Sequence, residues 1–431
     1  MNQILAHRRD FLTSVAGTAA ATLLPSVLGG ARLYAARREK LPVAAVVTMY
    51  GPHSHADVIL GKILEGWQQD GGEGPDLKLV SIYVEQIGAD DMSRKLSARH
   101  DVRQAATIAE AVTLGTQRVP VAGVLSIGEH GKYPLTPDTH QKMYPRRRFF
   151  EQIVAAFERG GKVVPIFNDK HLAYRWEDAK FMYDTARQRR IPFLAGSSVP
   201  VAWRLPPLEI DRQDELEYAL TIGWDGLEIY GFHALELHQA MIERRRGGET
   251  GIVAVQALRG GAIRRAFQEQ PWVKSLFESA LAKLPSRSSL KFDWTTQKDA
   301  ALFLLEHRDG LKSAIAMTGS MTTEFAFAAR VKTNPAPVST WVHLPDKPPF
   351  GHFAHLLKAI EETIHSGRAV FPIERTLLTT GTLDRLLHSV AQNGRRFDTP
   401  ELAITYQPSD WPYANHPKAL LDLPMPRKVH Q

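Results

Sequence analysis

The amino-acid sequence predicts an α/β protein. Its first half reads as a Rossmann-like, doubly wound parallel sheet, and its second half as an α+β domain with a mostly antiparallel open sheet. Strand-like and helix-like segments alternate between residues 41 and 200, as in a parallel sheet with helical crossovers. The first strand-like run, Val43 to Val47, is apolar throughout, which is typical of a buried parallel strand. In the second half, two strand-like runs within residues 301–317 flank Asp309-Gly310 and indicate a hairpin.

The elements of the first half follow from hydrophobic periodicity. Residues 58–67 have the apolar spacing of a helix, and residues 146–159 predict an amphipathic helix that ends at Gly160-Gly161. A third helix is predicted at residues 173–189. The other predicted strands are residues 77–84, 121–127, 162–167 and 191–196.

The pattern changes after Pro206-Pro207. Beyond the hairpin, helices are predicted at residues 353–364 and 375–392. A chain of 431 residues is long for a single core, so two domains are expected. The predicted divisions are a signal peptide in residues 1–35, a nucleotide-binding-type domain in 41–200, a substrate and oligomerisation domain in 201–395, and a tail in 396–431.

Residues 1–35 read as a targeting segment rather than as part of the fold. An Arg8-Arg9 pair precedes a weakly apolar stretch rich in small residues, which is the pattern of a twin-arginine (Tat) signal; cleavage is expected between Ala31 and Arg38. The alternative is a membrane anchor, but Pro25 and the glycine pair after it make a poor spanning helix. We therefore expect the Tat export machinery as a partner and a periplasmic or otherwise exported location.

The composition limits the classes of partner and of metal site. Hydrophobic residues make up 44% of the chain and charged residues 23%, the balance of a soluble globular protein. The net charge of +7 comes from short scattered runs such as residues 146–148 and 244–246, so nucleic acid is not an expected partner. The chain has no cysteine, so disulfides and thiolate metal sites are excluded, and any metal must use His, Asp or Glu.

Polar side chains follow the predicted parallel strands at their carboxyl ends, the edge where ligands bind in doubly wound sheets. The loops after four strands supply Tyr50, Gly51, His53, Ser54, His55 and Asp57; Glu129 and His130; Asp169, Lys170 and His171; and Ser197 and Ser198. Taken alone, Ser54 or Asp57 would be a helix cap, and Lys170 a surface ion pair with Asp169. Because the four loops should meet at one edge, we predict that this edge is the active site.

Two motifs resemble the glucose–fructose oxidoreductase/inositol dehydrogenase/rhizopine-catabolism (Gfo/Idh/MocA) family over roughly residues 41–395. The first is F-N-D-K-H-L, followed by a helix and by I-P-F-L-A-G-S-S. That family has a Glu-Lys-Pro motif after the corresponding strand. Lys170 falls on the motif's lysine, while Asp169 and His171 replace its Glu and Pro.

The second motif is L-E-I-Y-G-F-H-A-L-E-L in the second half of the chain. Gly231, His233 and Glu236 match the family's glycine, histidine and later acid. The family's catalytic Asp would fall on Ile229, with Glu228 one place earlier. The alternative for His233 is a helix histidine packed between domains.

The resemblance implies an oxidoreductase that acts on a hydroxyl of a sugar, polyol or glycoside with a tightly held nicotinamide cofactor, NAD(P). Lys170 and His233 would handle the proton, with Asp169 and Glu228 as further catalytic candidates, and Glu85 would hold the ribose. The resemblance also implies a homo-oligomer formed through the C-terminal sheet. The residues expected to contact the nucleotide are Tyr50, Gly51, His53, Ser54, His55, Glu85, Glu129 and His130.

The first turn departs from the family. Thr48, Met49 and Tyr50 stand where glycines are needed, and Pro52 removes an N–H that a phosphate would use. Either the cofactor binds in a modified way, or this branch has lost it and filled the space with histidines.

The second hypothesis is a non-redox, metal-dependent lyase, hydrolase or isomerase of sugars on the same scaffold. Imidazole and carboxylate groups suit Zn or Mn. The candidate ligands are His53, His55, Glu129, His130, Asp169 and His171. A third hypothesis is a sugar-binding protein without turnover.

Overall fold

The computed structural model describes residues 38–285 and 291–425. The predicted signal peptide lies outside the described residues, as do residues 426–431 of the predicted tail. From Glu39 onward the described residues form one compact unit, so the domain boundary at residue 200 stays a prediction. Within the described ranges, no helix combines the length and the apolar run that crossing a lipid bilayer requires.

The first half forms a six-stranded sheet in which every neighbouring pair is parallel. Its strands are β1 Leu41–Val47, β2 Leu77–Val84, β3 Arg103–Gln104, β4 Gly123–Ile127, β5 Ile166–Asp169 and β6 Phe193–Gly196. The strand order is β3-β2-β1-β4-β5-β6, so the direction of winding reverses between β1 and β4. The predicted doubly wound parallel sheet is confirmed, and its switch point lies beside the first turn.

Helices cover both faces of this sheet. They are α1 His55–Glu65, α2 Ser93–His100, α3 Ile108–Thr113, α4 Arg146–Gly160 and α5 Trp176–Gln188. Val43, Ala45 and Val47 of β1 point into one core and Ala44 and Val46 into the other, which explains why the whole run is apolar.

One predicted strand is displaced. The sequence predicts residues 162–167, whereas β5 runs from Ile166 to Asp169. Pro165 has no N–H to give to a sheet, so the strand begins after it and continues through the polar pair Asn168-Asp169. This shift places Lys170 at the first position after the strand.

The second half forms an eight-stranded sheet with open edges at β14 and β7. Its strands are β7 Trp203–Leu205, β8 Leu216–Gly223, β9 Ile252–Leu258, β10 Ala300–His307, β11 Lys312–Thr318, β12 Phe325–Val331, β13 Val338–His343 and β14 Phe397–Asp398. The order is β14-β9-β10-β11-β8-β12-β13-β7, and all pairs are antiparallel except β8 with β11. The mostly antiparallel sheet and its hairpin at Asp309-Gly310 are confirmed.

Helices also cover both faces of the second sheet. The helices of the second half are α6 Ile229–Ile242, α7 Gly261–Glu269, α8 Pro271–Leu281, α9 His352–Ser366 and α10 Ile373–Ala391, and all but α9 pack on this sheet. Helices α6 and α10 pack on one face, and α7 and α8 on the other, over small residues such as Ala316 and Ala328. An oligomer formed through this sheet stays a prediction, and its contacts would fall on α7 and α8 or on the sheet edges.

Helix α9 packs on the parallel sheet although it comes late in the chain. Phe353, Leu356 and Ile360 are buried in the same core as Val58 and Ile59 of α1. The start of α9 therefore lies beside the first turn of the parallel sheet.

The described part of the tail folds back on this chain. The Ala414 N–H donates to the carbonyl of Val201 at 2.9 Å. The Asn415 side chain bonds both the N–H and the carbonyl of Arg204, at 2.9 and 2.8 Å.

Candidate active site

Four loops of the parallel sheet meet helix α6 around one cavity of about 660 Å³. The loops follow β1, β4, β5 and β6, and the switch point lies between β1 and β4. Among the side chains that line the cavity, those singled out in the sequence are His53, His55, Glu129, His130, Lys170, Ser198, Ile229 and His233. The predicted convergence of strand-end loops is therefore confirmed, whereas the chemical role of each residue stays a prediction.

Several cavity residues adopt a backbone conformation that non-glycine residues rarely use. His53, His130 and Lys170 have φ angles of 59°, 68° and 62°, and Phe350 has 49°. Left-handed φ costs a non-glycine residue roughly 1–2 kcal/mol. Such conformations concentrate at functional sites, where the surrounding structure maintains them.

Lys170 is held by a buried carboxylate. Its Nζ lies 3.2 Å from Oε1 of Glu129, and both side chains are buried. The Lys170 N–H donates to the carbonyl of Gly196 at 3.1 Å, which fixes the backbone after β5. The ammonium group is thereby presented to the cavity.

Glu129 also binds Arg146, whose side chain is fully buried. Arg146 donates from Nη2 to Oε2 of Glu129 at 2.6 Å and from Nη1 to Nε2 of His171 at 2.9 Å. Burial alone would raise the pKa of Glu129, but Lys170 and Arg146 outweigh it and lower that pKa. One carboxylate thus binds two cations beside the cavity.

His55 is paired with Asp169. The distance from Nδ1 of His55 to Oδ2 of Asp169 is 2.8 Å; the histidine side chain is 13% exposed and the carboxylate is fully buried. Burial raises the pKa of Asp169 to about 6, against the opposing effects of Lys170 and Arg146. Burial, followed by Lys170, holds the pKa of His55 well below its usual value, so the imidazole is neutral.

His233 on α6 contacts the loop after β6. Its Nδ1 lies 2.6 Å from Oγ of Ser197, and the same oxygen accepts a hydrogen bond from the N–H of Val199 at 3.0 Å. Burial, followed by Lys170, holds the pKa of His233 well below its usual value. His233 is buried and also lines the cavity, so both its catalytic role and the alternative of a histidine packed between domains stay predictions.

Three predicted residues lie behind the cavity. Asp169 contacts it only through His55, and His171 accepts from Arg146. The carboxylate of Glu228 accepts the N–H of Lys142 with both oxygens, at 2.8 and 2.9 Å. The contacts of Glu228 therefore anchor the loop after β4.

The first turn satisfies its own donors. Oγ of Ser54 accepts from the N–H of Asp57 at 3.3 Å, and Oδ2 of Asp57 accepts from the N–H of His53 at 2.8 Å. Ser54 is thus the N-cap of α1, the alternative considered for it from sequence. Pro52 has no N–H to offer a phosphate. The carboxylate of Asp57 also occupies the helix end that a phosphate would need.

Two other predicted nucleotide contacts, Tyr50 and Glu85, face the protein rather than the cavity. Tyr50 is buried in the core below the turn, next to Gly51. Oε1 of Glu85 accepts from the hydroxyl of Tyr133 at 2.7 Å, and its other oxygen binds Arg148. The loop after β4 therefore closes over the end of β2, where a ribose would be held.

A segment not singled out in the sequence covers the first turn. Phe350 lies edge-on to His53, with ring centroids 5.7 Å apart. Phe353 lies edge-on to His55, with ring centroids 4.9 Å apart. Lys62 of α1 donates to the carbonyl of Pro349 and anchors this segment. It lies nearly 300 residues further along the chain, so no local pattern could have placed it there.

An aromatic wall forms another side of the cavity and was also missed from sequence. Trp224, Tyr230 and Phe325 line it, with the rings of Trp224 and Tyr230 4.2 Å apart. Arg146 was missed as well, although a basic residue in the first turn of a helix opposes the helix dipole and is a signal worth following.

The described residues do not support the metal hypothesis. Across residues 38–285 and 291–425, no group of three or more His, Asp or Glu side chains is arranged to hold a metal ion. The candidate ligands bind protein groups instead: Glu129 binds Arg146 and Lys170, Asp169 binds His55, and His171 binds Arg146.

Comparison with known proteins shows the fold. No family model matches the sequence, and no curated protein matches it. Similar solved structures include GenD2 from gentamicin A biosynthesis in complex with NAD (TM-score 0.55, 15% identity, 84% of this chain and 97% of that chain). A myo-inositol dehydrogenase from Corynebacterium glutamicum gives a TM-score of 0.52 at 14% identity, over 83% of this chain and 98% of that chain.

A third similar structure is a putative NADPH-dependent oxidoreductase from Desulfitobacterium hafniense (TM-score 0.51, 13% identity, 85% of this chain and 100% of that chain). These structures confirm the fold that the Gfo/Idh/MocA resemblance implied. At such low identity the likeness concerns the fold alone.

Proposed function

We propose that this protein is an oxidoreductase that acts on a hydroxyl-bearing carbon of a sugar, polyol or glycoside, with a nicotinamide as the hydride partner. The observation that carries the proposal is that Lys170 and His233, from opposite halves of the chain, line one cavity at the switch point. The dehydrogenases with the same fold support it.

Lys170 stabilises the oxygen on which charge develops. Its buried ammonium group, held by Glu129, donates to the substrate oxygen, and the low dielectric of the cavity strengthens that bond. Arg146 adds positive charge from behind the carboxylate without lining the cavity. These charges therefore lower the free energy of an alkoxide that forms at this position.

The aromatic wall binds the apolar face of the sugar ring and excludes water. Trp224, Tyr230 and Phe325 offer flat apolar surfaces opposite the charged loops. A nicotinamide bound beside the sugar would supply the hydride acceptor. The protein's part is to position the carbon, stabilise the oxygen and remove the hydroxyl proton.

The cavity fits the nicotinamide end of the cofactor better than its phosphates. Its volume of about 660 Å³, its aromatic wall and its lysine fit a nicotinamide ring beside a sugar. The first turn does not offer the usual phosphate cradle, because Pro52 lacks an N–H and Asp57 holds the N–H of His53. A phosphate bound in the usual position would be repelled by the carboxylate of Asp57.

Nucleotide binding tests this proposal directly. We expect NADH or NADPH fluorescence to change on titration with the purified protein, or nucleotide to be released on denaturing it. Asp57→Asn keeps an acceptor for the N–H of His53 but removes the charge. If the phosphates lie at the first turn, this variant should bind nucleotide about tenfold more tightly.

The control for this experiment is Asp70→Asn, an exposed acid beyond the end of α1, which should bind nucleotide like the wild type. An unchanged affinity in Asp57→Asn would place the phosphates away from the first turn. If neither NADH nor NADPH binds and none is released, the redox proposal is wrong.

We also propose that the protein is exported through the Tat pathway, on the basis of the Arg8-Arg9 pair and the small-residue stretch behind it. Replacing both arginines by lysine should keep the protein in the cytoplasm, as measured by cell fractionation. Arg37→Lys/Arg38→Lys is the matched control, because the apolar run after that pair is strand β1 of the folded protein and not a small-residue stretch like the one behind Arg8-Arg9. Unchanged export of the Arg8/Arg9 variant would contradict the proposal.

A further inference from the structure

The group that removes the substrate proton is best sought in the loop after β1. His55 lines the cavity, and its Nδ1 is hydrogen-bonded to Oδ2 of Asp169 at 2.8 Å. Asp169 itself does not line the cavity. Its ring is held between Phe353, at a centroid distance of 4.9 Å, and His130, at 5.5 Å. Pairing and packing together hold the orientation of the imidazole.

The hydrogen bond to Asp169 determines which ring nitrogen carries the proton. An ionised carboxylate only accepts, so Nδ1 of the neutral His55 carries the hydrogen and donates it. Nε2 is then left with a lone pair on the side of the ring away from Asp169. A neutral histidine oriented in this way is the arrangement of a general base.

His233 has the opposite arrangement. Oγ of Ser197 already accepts from the N–H of Val199, and its own hydrogen requires an acceptor because an unsatisfied buried hydroxyl is costly. Nδ1 of His233, at 2.6 Å, is that acceptor. The proton of His233 then sits on Nε2, so the residue donates to a ligand rather than accepting a proton.

We propose that the His55–Asp169 pair is the proton acceptor of the reaction and that His233 is a hydrogen-bond donor to the same substrate; this inference rests on the proposed oxidoreductase function. The hydroxyl proton passes to Nε2 of His55 as the hydride leaves the carbon for the nicotinamide. The alcohol becomes a carbonyl, and the resulting imidazolium is stabilised by Asp169. Lys170 donates a hydrogen bond to the oxygen throughout.

The charges around His55 limit how strong a base it is. The titratable or charged groups facing it from the packed elements are Glu129, His130, Arg146, Asp169, Lys170, His233 and His352. Lys170 and Arg146 disfavour the imidazolium, and Glu129 favours it. The pair holds one proton at neutral pH and takes up a second on acidification, when the carboxylate is protonated near pH 6.

The first experiment measures the tautomers without turnover. In the nucleotide-free protein labelled with ¹⁵N-histidine, we expect His55 to be protonated at Nδ1 and bare at Nε2, and His233 to be protonated at Nε2. Assignments come from His55→Gln and His233→Gln. Ser197→Ala should change the His233 signals and leave those of His55 in place. A His55 bare at Nδ1 would overturn the inference.

The second experiment measures turnover with a polyol that the wild type oxidises, myo-inositol being the first probe. His55→Gln and Asp169→Asn should each lower kcat by about 100-fold or more while the affinity for NADH changes little. The wild-type rate should fall below about pH 6, as Asp169 becomes protonated, and Asp169→Asn should lack this limb. His140→Gln, an exposed residue, should behave as the wild type.

Two outcomes would distinguish a failure of the role of His55 from a failure of the oxidoreductase function. If His55→Gln keeps kcat within tenfold of the wild type, His55 is not the base, although the oxidoreductase function stands. If the wild type binds no nucleotide and oxidises no polyol, the proposed function fails and the catalytic role of the pair fails with it, while the tautomers still report whether the pairing is correct.

Discussion

Replacing Lys170 by methionine is expected to lower turnover about 10³-fold. Methionine keeps most of the length of the lysine side chain but removes the only buried ammonium group that lines the cavity within the described residues. Losing a preorganised donor to a developing oxyanion costs about 10²–10³-fold in kcat, and here a full charge is lost as well. The measurement is steady-state oxidation of a polyol, with NADH affinity measured in parallel.

The matched control for Lys170 is Lys132→Met. Lys132 is an exposed lysine in the loop after β4, so its substitution should leave turnover unchanged. Lys170→Arg keeps the charge, but a planar guanidinium does not reproduce the contact with Glu129, so we expect only partial recovery. Turnover of Lys170→Met within tenfold of the wild type would show that the substrate oxygen is stabilised elsewhere.

Replacing Arg146 by methionine is expected to destabilise the protein by about 3–5 kcal/mol, the cost of breaking a buried ion pair by removing one partner. Glu129 would keep only Lys170, and Nε2 of His171 would lose its donor. Urea unfolding followed by tryptophan fluorescence measures the loss.

Arg148→Met is the control for Arg146. Arg148 comes from the same basic run, but it is largely exposed and pairs with Glu85, so its loss should cost at most about 1 kcal/mol. The double variant Arg146→Met/Glu129→Gln should be destabilised by less than the sum of the two single variants, because either substitution alone already breaks the Arg146–Glu129 pair. Equal losses of unfolding free energy in the two arginine variants would mean that the buried ion pair stabilises the protein no more than the exposed one.

The sequence was a good guide to the edge at which the site lies. Apolar runs and helical spacing are local properties, so β1, β4, α4 and α5 could be predicted within a few residues. The carboxyl ends of parallel strands share one edge by geometry, which is why His53, His55, Glu129, His130 and Lys170 could be expected together before their contacts were known.

The sequence was a poor guide to the partner of each side chain. Glu85 suits a ribose as a residue type, yet Tyr133 and Arg148 hold it. Asp169 and Glu129 suit a metal, yet one pairs with His55 and the other with two cations. Each of these partners lies many residues away from the acid that it binds.

By itself, then, the sequence determined the class of fold, the order of its elements and the loops that carry polar groups. Those follow from the periodicity of apolar residues, which acts over one turn or one strand. Only the tertiary structure decided that Phe350 and Phe353 cover the first turn and that Asp169 pairs with His55. The reason is physical: burial sets the cost of each charge, so a side chain's protonation and partner depend on segments that meet only when the chain is folded.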